Sequence, residues 1–253
     1  MYYDTHAHYD DERFDEDRDA VLLSLPENGI ELVNNIGTDE QTSLACVALA
    51  EKYDFCYAAV GFHPHEASSM DETSLERIAG LLKHPKVRAI GEIGLDYYYD
   101  YSPRDIQKAC LRAQLALAAD TGCRVVIHDR DAHGDCLDIL SEFPQVTGVF
   151  HCFSGSAEMA EILVKRGWYL SFTGSVTFKK ARKILEAVAV VPQDRIMLET
   201  DSPYLAPEPM RGRRNDSRLL PYIAAAVGAV KGWSVEETAR ICLENGKRFF
   251  NIS

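Results

Sequence analysis

The chain has 253 residues, 46% of them apolar, enough for one sizeable core and of the right length for an α/β barrel built as a single domain over 1–253. A formal net charge of -12 speaks against a protein that grips long duplex DNA through many phosphates, because such a surface repels polyanions at long range and leaves any capture of nucleic acid to local groups. Seven cysteines, odd in number and without a Cys-x-x-Cys pair, read as reduced thiols, and the opening residues lack the basic-then-apolar run of a signal peptide, so a cytoplasmic protein is expected.

No linker, low-complexity tract or repeat interrupts the chain. The strongest apolar run of the C-terminal half, 184–191, contains Glu186 and is closed by Pro192, too short to span a bilayer. In chain order, strand-like runs are expected at 1–5, 30–36, 55–61, 87–93, 124–128, 148–151, 168–172 and 196–199. Helical periodicity lies between them. In 103–120, Ile106, Cys110, Leu111, Leu115 and Ala118 recur at spacings of three and four, and Gly122 is placed to end that helix. Two helices close the chain, 216–231 and 234–250, the second opened by Ser234 with Glu237 three residues on, a capping-box pattern. Eight strands alternating with helices predict a (β/α)8 TIM barrel with an extra C-terminal helix. An open doubly wound sheet is the alternative, but its Gly-rich phosphate turn would stand where His6-Ala7-His8 stands here.

The chemistry-bearing residues follow the strands. His6 and His8, two apart, project to one face of the first strand. Glu92, His128, His151 and Asp201 each follow or end a buried-strand pattern. In a barrel, all six fall at the C-terminal ends of strands 1, 4, 5, 6 and 8, where catalytic groups gather. One open catalytic site needs about three protein ligands, so six predict two divalent cations about 3.5–4 Å apart with one carboxylate between them. Imidazole suits zinc and carboxylate suits magnesium or manganese, so the donor types leave the metal open.

Six motifs in order carry a resemblance: Asp-Thr-His-Ala-His at 4–8, Gly-Phe-His-Pro-His at 61–65, Gly-Glu-Ile-Gly-Leu-Asp-Tyr-Tyr at 91–98, Val-Ile-His-Asp-Arg at 126–130, His-Cys-Phe-Ser-Gly at 151–155 and Glu-Thr-Asp-Ser-Pro-Tyr-Leu at 199–205. Together they resemble the TatD family of metal-dependent deoxyribonucleases, amidohydrolase-like enzymes with a TIM-barrel fold. The resemblance implies that His6, His8 and Asp201 hold one metal, that His128 and His151 hold the other, and that Glu92 bridges. It implies a 3'-5' exonuclease acting on single-stranded DNA ends, and on RNA; the sequence itself leads to the expectation of no membrane and no obligate protein partner. The chain departs from the family pattern after Arg211-Gly212-Arg213-Arg214-Asn215, where Asp216-Ser217-Arg218 replaces Glu-Pro; this touches the expected substrate rim and not the ligands.

For that chemistry a metal-bound water is the nucleophile, and Asp201, with Glu92, is the expected catalytic carboxylate, Asp201 orienting the water and accepting its proton. His63 is placed to meet a phosphate oxygen or the leaving group, and Arg130, Arg211 and Arg214 to hold phosphates. Glu199 shares a face with Asp201 and stands as a further ligand or a support for one. His65, His84 and His133 are read as structural. The tyrosines at 97, 98, 99 and 101 form either a base-stacking surface or a packed lid. The competing functions are an amidohydrolase-type enzyme opening a lactone, cyclic amide or phosphoester of a small molecule, and a metal-binding scaffold without catalysis. Against the first stands Glu92, where many such barrels carry a carboxylated lysine.

Overall fold

In the computed structural model, which describes residues 1–252, the expected alternation is present throughout. The order is β1 (Tyr2–Ala7), α1 (Arg18–Ser24), β2 (Ile30–Ile36), α2 (Glu40–Lys52), β3 (Cys56–Val60), α3 (Glu72–Leu81), β4 (Val87–Asp96), α4 (Arg104–Thr121), β5 (Val125–Arg130), α5 (His133–Ser141), β6 (Gly148–Phe150), α6 (Ala157–Lys165), β7 (Tyr169–Phe172), α7 (Arg182–Val190), β8 (Ile196–Leu198), α8 (Leu220–Lys231) and α9 (Val235–Phe250). The eight strands form one sheet in sequence order, β1 to β8. This is the (β/α)8 TIM barrel, with α9 as the added C-terminal helix. No helix among the described residues is long and apolar enough to cross a membrane.

The described chain gathers into two compact units, residues 1–35 with 151–252, and residues 36–150. In the first, β1 pairs parallel with β2, Tyr3 opposite Leu32 and Asp4 opposite Val33, and β7 pairs parallel with β8. Beyond β8 the chain runs on beside β1. Asp201 N–H donates to the His6 carbonyl at 2.9 Å and His8 N–H to the Ser202 carbonyl at 2.7 Å. Helix α9 seats its apolar face on this sheet at Gly246, where a Cβ would stand 2.6 Å from Tyr3 Cδ1. The rings of Tyr3 and Phe250, 5.7 Å apart, and of Tyr169 and Phe249, 5.2 Å apart, complete that layer. At its start the Ser234 hydroxyl accepts the Glu237 N–H at 3.1 Å, one half of the expected capping box. Both halves are made instead at α2, between Asp39 and Thr42, and at α3, between Asp71 and Ser74.

In the second unit β3, β4, β5 and β6 pair parallel in turn. Cys46, Val47, Ala50, Ala58, Val60 and Ile78 lie in one apolar cluster behind β3. Gly122 ends α4 in a left-handed conformation, φ 70°, as its position predicts. One boundary differs in a way that matters. β4 does not stop at 93 but continues to Asp96, paired with β5 as far as Arg130. Glu92 therefore sits inside the strand rather than at its end. Gly94 permits this: at φ +151° it lets β4 lie so close to β5 that a Cβ there would meet the His128 carbonyl at 1.8 Å.

Candidate metal centre

In the first unit, β1 delivers His6 and the step after it delivers His8. Their Nε2 atoms converge to 3.1 Å, the rings meeting edge to face. Asp201 Oδ1 lies 3.8 Å from His6 Nε2 and 3.4 Å from His8 Nε2. A cation bound tetrahedrally at about 2.1 Å has donor–donor edges of roughly 3.4 Å, so these three atoms fit the shell of a divalent cation. His151, just past β6, stacks on His6 with ring centroids 4.0 Å apart, and its Nδ1 lies 3.3 Å from Glu199 Oε1. His6, His151 and Glu199 also offer donor atoms all within 4.8 Å of one another.

Backbone conformation holds these groups in place. Cys152 and Asp201 both take left-handed φ values, 43° and 56°, which non-glycine residues adopt at a cost of about 1–3 kcal/mol and which concentrate at functional sites. The Cys152 N–H is received by Glu199 at 2.6 Å, and that of Asp201 by the His6 carbonyl. Burial works to raise the Asp201 carboxyl, but the His8 hydrogen bond and the charges of His151, His6 and His8 outweigh it and hold the group below the usual carboxylate range. Asp201 is thus an anion at neutral pH. Beneath it Asp4, fully buried, accepts from the Thr200 N–H at 2.9 Å, the Thr200 hydroxyl at 2.5 Å and the Ser217 hydroxyl at 2.6 Å. Ser217 belongs to the segment where this chain departs from the family pattern. Burial nevertheless pushes the Asp4 carboxyl up to about 7.

In the second unit, Glu92 Oε1 lies 2.8 Å from His128 Nδ1 and 3.8 Å from His63 Nε2, and His63, Glu92 and His128 form a second cluster with donor atoms within 4.8 Å. His63 Nδ1 accepts the His65 N–H at 3.1 Å. That bond places the proton of a neutral ring on Nε2, so His63 faces Glu92 as a donor. His128 Nε2 lies 3.1 Å from Asp96 Oδ2, which His65 Nε2 approaches to 3.0 Å. Burial would raise the Asp96 carboxyl, yet hydrogen bonds from His128, His65 and the Tyr99 N–H hold it far below the ordinary range.

A family model described as TatD related DNase matches residues 3–251. This chain belongs to the TatD-related DNase family. A relative from Bacillus subtilis (strain 168), named metal-dependent hydrolase YabD, is 44% identical over 255 residues, covering 100% of each chain. A relative from Erwinia tasmaniensis, named 3'-5' ssDNA/RNA exonuclease TatD, is 33% identical over 248 residues, covering 95% of this chain and 96% of the other. Among solved structures, the TatD homologue YjjV of Escherichia coli K12 superposes with a TM-score of 0.92 at 30% identity, covering 100% of this chain and 98% of that one.

The remaining residues expected at the TatD-type site divide by environment. Arg130, at the end of β5, lays its guanidinium over the rings of Tyr98 at 4.0 Å and Tyr99 at 4.8 Å. Arg214 is committed elsewhere, forked onto Asp17 with two bonds of 2.7 Å and bonded to the Arg13 carbonyl. Arg211 lies over Phe178 at 4.1 Å on the exposed surface. His133 pairs with Asp129 at 2.8 Å and His84 with Glu51 at 3.2 Å. His65, read as structural, stands in the His128–Asp96 chain. Asp96 itself was not among the expected residues. The signal for it is position: four residues beyond Glu92 on one strand, it shares that residue's face.

Proposed function

We propose that this protein is a divalent-metal-dependent phosphodiesterase that removes nucleotides from the 3' ends of single-stranded DNA and RNA. The observation that carries the reading is the convergence of His6 Nε2, His8 Nε2 and Asp201 Oδ1 within 3.1–3.8 Å in a chain of the TatD-related DNase family. His6, His8 and Asp201, with His151 and Glu199 beside them, would hold one cation, and Glu92 and His128 would hold another. Bound cations supply a water acidic enough to attack at neutral pH and positive charge against the phosphoryl oxygens.

The chain's own groups do the rest. Asp201, kept anionic by its histidine neighbours, takes the proton of the attacking water. As the bond from water oxygen to phosphorus forms, the bond from phosphorus to the 3' oxygen breaks. The departing 3' oxygen takes up a proton from solvent water. The products are a nucleoside 5'-monophosphate and a strand shortened by one residue with a free 3' hydroxyl. A net charge of -12 fits capture of a flexible end better than grip on a duplex.

The test uses end-labelled oligonucleotides with free or blocked 3' ends, after chelation and restoration of magnesium, manganese or zinc. Free ends are shortened and blocked ends are not, and Glu92→Ala or Asp201→Ala abolishes shortening while the far-ultraviolet circular dichroism stays native. A wild-type protein that leaves every oligonucleotide intact yet hydrolyses lactones or cyclic amides overturns the proposal.

A further inference from the structure

Between β4 and α4 the chain exposes three large aromatic rings in a row. Tyr98, Tyr99 and Tyr101 are 59%, 45% and 68% exposed, although large apolar rings are ordinarily buried. Tyr99 and Tyr101 stack on each other, centroids 5.2 Å apart and planes within 29°, and Tyr98 meets Tyr99 edge-on at 4.9 Å. His65 packs beneath them, 4.7 Å from Tyr101 and 5.3 Å from Tyr99.

The loop is braced. Asp96 Oδ1 accepts the N–H groups of Tyr98 and Tyr99 at 3.0 and 2.9 Å. The Tyr97 hydroxyl donates to Asp135 at 2.6 Å, and the Ser102 hydroxyl to the His65 carbonyl at 2.9 Å. The rings are therefore held in place before any ligand arrives. Asp96 is also the residue that receives His128, so one carboxylate links the rings to a candidate metal ligand.

Arg130 supplies the charge. Its guanidinium rests on Tyr98 and Tyr99, and among the described residues no carboxylate lies within ion-pair distance of it. In a chain with net charge -12 an uncompensated arginine beside exposed aromatic faces is selective for an anion that carries a flat ring.

We propose that Tyr98, Tyr99 and Tyr101, with Arg130, form a stacking platform that takes the bases of the substrate strand and one of its phosphates. The platform rests on the nuclease reading and deepens it. An unpaired base presents its whole face to the rings, whereas a base inside a duplex has both faces covered by its neighbours. The rings therefore select single strands without reading sequence, because every base has a π-face.

The test is equilibrium binding of the metal-loaded protein to a fluorescent single strand whose 3'-terminal linkages are phosphorothioates, so that binding is read without cleavage. Wild-type protein binds this strand about five-fold or more tightly than one with abasic 3'-terminal residues, and it quenches 2-aminopurine placed there. Tyr99→Ala/Tyr101→Ala weakens binding of the normal strand by about five-fold or more, abolishes the quenching and removes the difference between normal and abasic strands. Tyr99→Phe/Tyr101→Phe keeps all three. Arg130→Gln lowers the slope of log affinity against log salt by about one. A double variant that keeps wild-type affinity and abasic discrimination, while the wild type still shortens oligonucleotides, overturns the platform and leaves the nuclease reading intact. A wild type that neither binds nor shortens any strand overturns both.

Discussion

Asp4 gives the sharpest quantitative test. Its carboxyl is fully buried, accepts three hydrogen bonds, and is pushed up to about 7 by burial, against about 3.9 in an unfolded chain. The folded state then holds the proton more tightly than the unfolded state. The stability Asp4 contributes is complete below its unfolded value and is lost as the pH rises through about 7. At about 1.36 kcal/mol per pH unit the full change is roughly 4 kcal/mol, of which roughly 2.5 kcal/mol falls between about pH 5 and pH 8. Asp4→Asn cannot ionise. Urea unfolding of both proteins in chelator across that range measures the difference in stability, which shrinks by roughly 2.5 kcal/mol from acid to base. Parallel curves, with a difference that does not change with pH, would show that Asp4 titrates alike in both states and would sink the argument.

Other expectations follow from packing and binding. Gly246→Ala forces a Cβ to within 2.6 Å of the Tyr3 ring and lowers stability by about 1–3 kcal/mol, whereas Gly80→Ala, with nothing within 4 Å, raises it by up to about 1 kcal/mol; urea midpoints at constant slope decide both. Divalent cation at about 100 times its dissociation constant stabilises the fold by about 2.7 kcal/mol, read as a rise in unfolding temperature that chelator reverses and that His6→Ala diminishes. Cys56 and Cys110, whose thiols burial pushes up to about 12, resist iodoacetamide at mildly alkaline pH until denaturant is added, which mass spectrometry of the alkylated peptides reports.

Much of this protein is legible in its chain. The eight apolar runs mark the eight strands, because a strand covered on both faces is mostly apolar and keeps polar residues such as Asp4 and His6 only where they find partners. Gly122 and Ser234 mark helix ends for equally local reasons, a left-handed turn and an orphan N–H. The pair His6 and His8 is read from spacing alone, and their Nε2 atoms do meet at 3.1 Å. What escaped is the wiring behind these groups. Asp96 draws its meaning from His65 and His128, 31 and 32 residues away, and Glu199 from Cys152 at a separation of 47. The span of β4 past Glu92 depends on how closely Gly94 lets it approach β5.

The same division separates the arginines. Composition shows positive charge at Arg130 and Arg214 alike, and only the fold decides that Asp17, 197 residues from Arg214, neutralises one while tyrosine faces receive the other. Periodicity, caps and spacing are consequences of backbone geometry within a few residues, so the sequence carries them by itself. Whether a buried carboxylate is compensated depends on atoms that chain connectivity leaves far apart, and tertiary structure alone brings them within 3 Å, as at Asp4 with Thr200.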